Sequence, residues 1–149
     1  METRSSDSAT LQTARSVITG LNAIDNIGKE AAKFGQKILI ICDKGISQIG
    51  ILDRVRDILE AGKLTVGVFD KVEPEPKIEL VYQCADEISS GNYEVLIGLG
   101  GGSSMDVTKG ASIEVANPGK IEDYLTRIRN RIPSIKHYIS CVGKIYMMS

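Results

Sequence analysis

Residues 37–42 contain four adjacent aliphatics, Ile38-Leu39-Ile40-Ile41. Such a run predicts a strand covered on both faces, as in a parallel sheet. Around it the apolar residues recur at helical spacing instead. Ile24, Ile27, Ala31 and Phe34 form one stripe, with Lys29, Glu30 and Lys33 facing away. Gly35 is expected to end that helix as a left-handed cap. After the strand stops at Asp43-Lys44-Gly45, a helix follows with Leu52, Val55, Ile58 and Leu59 on one face and Gly62 as its cap. Residues 64–70 alternate Leu64, Val66 and Val68 and read as the next strand. Val72-Glu73-Pro74-Glu75-Pro76 reads as a loop, because two prolines oppose both helix and ladder pairing. A third helix carries Val81, Cys84, Ala85 and Ile88 and ends at Gly91. Residues 95–99 form a further strand. Gly100-Gly101-Gly102 and a helix over about 104–115 follow, with Val107, Ala111 and Val115 on one stripe.

Alternating strands and helices with short connections predict βαβ units: an α/β, Rossmann-like parallel sheet with helices on both faces. Before this core, residues 16–19 read as a short edge strand ended by Gly20, and residues 1–14 as a flexible tail rich in Ser, Thr and Asp. After Asn117-Pro118-Gly119 the pattern weakens. Residues 121–125 predict a turn of helix and residues 137–142 a strand with no assured neighbour, hence an open edge. The expected organisation is a tail at 1–14, one α/β domain at 15–135 and an atypical segment at 136–149.

Composition narrows the function classes. Of 149 residues, 42% are hydrophobic and 25% charged, which is ordinary for one globular domain. The net charge of −1 gives no electrostatic drive toward nucleic acid or an anionic membrane, so neither is an expected partner. No apolar run is long enough to span a bilayer, and the polar N-terminus lacks a secretory core. Charge is uneven, however. Residues 120–149 hold six basic and two acidic side chains, against 12 and 17 in residues 1–119. Cys42, Cys84 and Cys141 are odd in number and far apart, which argues against a disulfide framework and for a reducing cytoplasm. His137 is the single histidine, so a His/His/carboxylate metal site cannot be built within the chain.

Gly98-Leu99-Gly100-Gly101-Gly102-Ser103-Ser104-Met105-Asp106 is the strongest local signal. It joins an apolar strand to a helix. Glycines admit positive φ and close ligand approach. The free N–H groups and dipole of the next helix favour an anion, with phosphate or pyrophosphate the natural guest. Ser103 to Asp106 also reads as a capping box, S-x-x-D. The run is neither GxGxxG nor GxxxxGK[ST]. Asp43 ends the first parallel strand, at the carboxyl edge where open sheets bind ligands. There a carboxylate accepts hydrogen bonds from both hydroxyls of an adenosine ribose and repels a 2′-phosphate. An N-cap for the following helix is the equally open alternative. Lys109 shares a helical face with Asp106. Cys42, Cys84 and His137 read as packing or surface residues, and no catalytic residue is assigned.

Ile40-Ile41-Cys42-Asp43-Lys44-Gly45, then Val72-Glu73-Pro74-Glu75-Pro76, then Gly100-Gly101-Gly102-Ser103-Ser104-Met105-Asp106-Val107-Thr108-Lys109 together resemble the iron-containing alcohol dehydrogenase family. That family's pattern is an apolar strand ending in T-D-K-G, a V-x-P-N-P loop and G-G-G-S-x-x-D-x-A-K. The resemblance covers about residues 15–135. It implies a dinucleotide-binding domain in which Gly101, Gly102 and Ser103 hold the NAD(P) pyrophosphate, with Ser104 and Met105 beside it. Asp43 would select NAD, and Asp106 would lie near the nicotinamide end. The family transfers hydride between an alcohol or aldehyde and the cofactor, with iron or sometimes zinc polarising the oxygen.

Departures from the family pattern set further expectations. Glu75 stands for the family's Asn, Thr108 for Ala and Cys42 for Thr. After Arg131-Ile132-Pro133-Ser134-Ile135 the family continues into a Thr-Thr-Ala-Gly-Thr segment, whereas this chain reads Lys136-His137-Tyr138-Ile139-Ser140. The family's helical C-terminal domain, with one Asp and three His as metal ligands, is not among these residues. The resemblance therefore implies a truncated NAD-binding domain that binds NAD weakly, holds no iron or zinc and turns over no alcohol. An uncovered domain face predicts self-association. A non-catalytic nucleotide-binding module, a gene remnant, or a fragment of a glycerol dehydrogenase-like or dehydroquinate synthase-like enzyme are the alternatives.

Overall fold

The computed structural model describes residues 17–117 and 119–121, and the backbone of 138–142 and 146–148. The expected tail at 1–14, the turn at 122–125 and His137 lie outside the described residues. The chain builds β1 (Val17–Ile18), a 3-10 turn (Ala23–Asn26), α1 (Ile27–Ala32), β2 (Lys37–Asp43), α2 (Lys44–Gln48) and α3 (Ile51–Ala61). These are followed by β3 (Thr65–Val72), α4 (Ile78–Gly91), β4 (Val95–Leu99), α5 (Gly102–Ala116), β5 (Tyr138–Val142) and β6 (Tyr146–Met148).

One sheet runs in the order β1-β6-β5-β4-β2-β3. β5, β4, β2 and β3 are parallel, whereas β6 is antiparallel to both β5 and β1. The expected parallel sheet is thus real but mixed at one side. The strand expected near residue 139 is not an open edge. It pairs with β4 from Leu96↔Tyr138 to Leu99↔Cys141 and with β6 on its other side.

β2 shows why the fold is double-layered. Its five central residues are fully buried. Ile38, Ile40 and Cys42 point into a core with Ile27 and Ala31 of α1 and Leu52, Val55 and Leu59 of α3. Leu39 and Ile41 point the other way, among Val81, Cys84, Ala85 and Ile88 of α4 and Val107 and Ala111 of α5. A strand with no polar face needs cover on both sides, and this chain supplies it. No described helix is long and apolar enough to cross a membrane.

Gly35 acts differently from the expectation. Gly35 is not left-handed. A Cβ there would lie 2.6 Å from Glu94 Cβ, so glycine lets the α1–β2 turn close against β4. Glu94 secures that corner by accepting the N–H groups of Gln36 (2.7 Å) and Lys37 (3.1 Å). These bonds hold its carboxyl below the usual range. Gly62 is the C-cap of α3 and α4 ends at Gly91, as expected, and the left-handed residues that follow them are Lys63 and Asn92. Left-handed Gly50 divides what reads as one helix into α2 and α3. On α5, Val107 and Ala111 are buried, but Val115 is exposed.

Candidate functional site

Strands β4, β2 and β3 end side by side, and their carboxyl ends open onto a cleft of about 860 Å³. Asp43, Lys44 and Gly45 follow from β2, Asp70 to Pro74 from β3, and Gly101 to Ser104 from β4. Lys77, Leu80 and Gln83 of the α4 region close the far wall.

The glycine loop begins with Gly100 at φ 131°, a conformation that L side chains rarely adopt. Gly101 is extended and Gly102 already opens α5. A Cβ on Gly101 or Gly102 would meet no atom within 4 Å. Both glycines therefore leave free space in front of the helix start. The Met105 N–H donates to Gly101 O (3.2 Å), the first bond of the helix. The N–H groups of Gly102, Ser103 and Ser104 precede it and lack an intrahelical acceptor. An anion of phosphate size fits this cradle by space, by donor set and by the sign of the helix dipole. The expected capping box does not form. The helix starts earlier, Gly101 is its N-cap, and no side chain caps it.

Close packing explains the glycine before the loop. A Cβ on Gly98 of β4 would lie 2.8 Å from Thr108 Oγ1. Thr108 is buried and its hydroxyl donates within α5 to Ser104 O (2.7 Å), while the bare Gly98 lets this side of α5 pack closely on β4. That contact aims the N-terminus of α5 over the strand ends.

Asp43 performs the capping role that its sequence position allows. Its Oδ1 accepts the Ile46 N–H at 3.0 Å. Gly45 makes room for that carboxylate, since a Cβ there would sit 2.9 Å from Oδ1. The second oxygen, Oδ2, faces Gly100 across the strand ends. Asp43 therefore caps α2 and also lines the cleft. Met105 and exposed Asp106 do not line it. Asp70, Lys71, Lys77 and Gln83 do, and sequence reading did not name them. The rule that ligands sit at carboxyl strand ends would have found Asp70 and Lys71, once β3 was known to neighbour β2.

The Cys42 and Cys84 thiols are not part of this chemistry. Burial, then Asp70 and Asp43, pushes Cys42 up to about 11. Burial, then Glu87, pushes Cys84 up to about 12. Both stay protonated at neutral pH and behave as small apolar groups. Among the described residues, no group of three His, Cys, Asp or Glu side chains is placed to hold a metal ion.

Residues 14–142 match the family model of the iron-containing alcohol dehydrogenases. The chain is 35% identical over 122 residues to a choline dehydrogenase of Bacillus subtilis, covering 78% of this chain and 30% of that protein. It is 34% identical over 109 residues to an NAD-dependent methanol dehydrogenase of Bacillus methanolicus, covering 72% and 28%. The fold superposes on an NADH-dependent butanol dehydrogenase of Thermotoga maritima with a TM-score of 0.80 at 22% identity, over 91% of this chain and 34% of that one. The chain thus spans about 30% of the length of the curated relatives it matches.

Proposed function

Because the chain belongs to the iron-containing alcohol dehydrogenase family, we propose that it forms the dinucleotide-binding part of an oxidoreductase that moves hydride between NAD and a small alcohol or aldehyde. The observation that carries this reading is the open space before Gly101 and Gly102, at the N-terminus of α5, facing Asp43 across one cleft. The amides of Gly102, Ser103 and Ser104 receive the pyrophosphate. Asp43 accepts the hydroxyls of the adenosine ribose, and its charge disfavours a 2′-phosphate. The adenine lies toward the β3 side, where Val72, Pro74 and Leu80 offer apolar surface. Met105 stands beside the pyrophosphate site and Asp106 belongs to the nicotinamide side, both outside the lining of this cleft.

When bound, NAD supplies the hydride acceptor, and the family's metal polarises the substrate oxygen. This chain's own residues bind and orient the cofactor. None of its described residues is assigned to the metal or to proton transfer. The 149 residues alone bind NAD weakly, act in the cytoplasm and tend to self-associate. Titration calorimetry with NAD and NADP tests the reading. Saturable binding of NAD, tighter than NADP, is expected. Tighter binding of NADP would contradict the role given to Asp43, and binding of neither would contradict the reading as a whole.

A further inference from the structure

Two bare positions at the end of β4 face two hydroxyl residues of α5. A Cβ on Gly98 would lie 2.8 Å from Thr108 Oγ1, and one on Gly100 would lie 3.1 Å from Ser104 Oγ. Gly98 and Gly100 are two residues apart, about 6.6 Å along an extended chain. Ser104 and Thr108 are four residues apart on one helix face, a rise of about 6 Å. The spacings match, so α5 runs back along β4 with one hydroxyl residue seated at each glycine. Both residues are buried.

The seat at Gly98 is fitted to an oxygen. Thr108 Oγ1 donates to Ser104 O at 2.7 Å, a distance open to a hydrogen-bonded hydroxyl. A methyl carbon keeps about 3.3 Å or more from a carbonyl oxygen, so in this place it would press α5 away from β4. A bare alanine at 108 would leave the space empty, because Gly98 has no side chain to fill it. Alanine, the family's residue at this place, fits once the strand supplies the missing atom. With Oγ1 removed, the nearest neighbours of a Cβ on Gly98 are Thr108 Cβ at 3.4 Å and Ser104 O at 3.5 Å, which are ordinary contacts. Gly98 lies within β4 and has no positive φ, so its backbone accepts alanine.

We propose that Thr108 is a positioning residue for the anion cradle, its Oγ1 acting as the spacer that sets the height of α5 over the strand ends. The link to the cradle is Ser104. Its carbonyl holds the Thr108 hydroxyl, and its N–H is one of the three free donors at the start of α5. The inference rests on the pyrophosphate role given above to the Gly102, Ser103 and Ser104 amides and deepens it: affinity for the pyrophosphate depends on how Thr108 fits Gly98, one helical turn behind the donors.

The test uses the full chain with inorganic pyrophosphate as the probe. Amide shifts of Gly102, Ser103 and Ser104 report its affinity, and urea denaturation reports folding. Thr108→Val and Thr108→Ala are expected to lower the affinity roughly fivefold, the effect of about one weakened hydrogen bond. Thr108→Ser keeps the oxygen and is expected to bind as the wild type does, although it loses a buried methyl and some stability. The double variant Gly98→Ala, Thr108→Ala is expected to recover the affinity to within about twofold of wild type, a coupling that independent sites would not show. A merely structural threonine would move the denaturation midpoints and leave the affinity of every folded variant unchanged. Thr108→Ser against Thr108→Ala carries the comparison even if Thr108→Val does not fold. Wild-type affinity in Thr108→Ala, or a double variant that binds no tighter than Thr108→Ala, overturns the proposal. If pyrophosphate moves none of these amides in the wild-type chain, the role of the glycine loop fails and this proposal fails with it. Binding at these amides that no Thr108 variant alters removes only the proposal.

Discussion

Asp43 and Gly100 meet across the ends of β2 and β4, with Asp43 Oδ2 3.3 Å from the point a Cβ on Gly100 would occupy. The register explains the meeting. Cys42 pairs with Leu99, so the next residue of each strand emerges at the same level of the sheet. A carboxylate and a left-handed glycine are thus brought together from positions 57 residues apart.

Gly101→Val separates folding from binding. Gly101 has φ −88°, which valine tolerates, and a Cβ there strikes nothing within 4 Å. Thermal stability is expected to fall by only about 1 kcal/mol, the cost of replacing a glycine N-cap by valine. NAD binding measured by calorimetry is expected to vanish, because the side chain fills the pyrophosphate space. Retained affinity would show that the ligand lies elsewhere.

Glu75 carries backbone strain. Its φ is +50°, and it is followed by a proline and exposed. The family has asparagine at this place, a residue better suited to left-handed backbone. Glu75→Asn is expected to raise unfolding free energy by about 0.5–1 kcal/mol in urea denaturation. A loss of stability would mean that the glutamate makes a compensating contact.

Asp43→Asn and Asp43→Ala divide the two roles of one side chain. Asparagine caps helices about as well as aspartate, so Asp43→Asn keeps stability while NAD loses its advantage over NADP. Asp43→Ala loses the bond to Ile46 and costs about 1 kcal/mol as well. Denaturant melts beside paired titrations of the two cofactors distinguish them. Equal effects of both variants on stability would contradict the capping assignment.

The buried thiols set an alkaline limit. Folding raises Cys42 from 9.0 to about 11 and Cys84 from 9.0 to about 12. Above pH 9 the unfolded chain releases these protons first, so fewer protons are bound unfolded than folded. Their contribution is full below pH 9 and is lost as pH rises toward 11 and 12. Unfolding midpoints at pH 8, 9.5 and 10.5 are expected to fall steadily. In the folded chain at pH 8, iodoacetamide is expected to spare Cys42 and Cys84, as peptide mapping reports.

Much of this was legible in the sequence, for identifiable reasons. Ile38 to Ile41 announce a doubly covered strand because no polar residue interrupts them, and the two cores around β2 bear that out. The glycine loop announces its strand-to-helix junction. Sheet order was not legible. Nothing local in Asp70 or Lys71 says that β3 lies beside β2, and so their place in the cleft was missed. Gly35 was read as a cap because local sequence cannot reveal Glu94, its neighbour from 59 residues away. The helix after Gly100 was placed two residues late, since a capping serine and an uncapped glycine start look alike in sequence.

The central claim is that NAD binds where the glycine loop faces Asp43. Amide chemical-shift mapping during NAD titration of the ¹⁵N-labelled chain tests it most directly. The expected result is saturable shifts concentrated at Gly101, Gly102, Ser103, Ser104 and the Asp43–Gly45 turn, with the Gln36–Lys37 corner at the opposite strand ends unmoved. Shifts confined to other surfaces, or none up to millimolar NAD, would contradict the account.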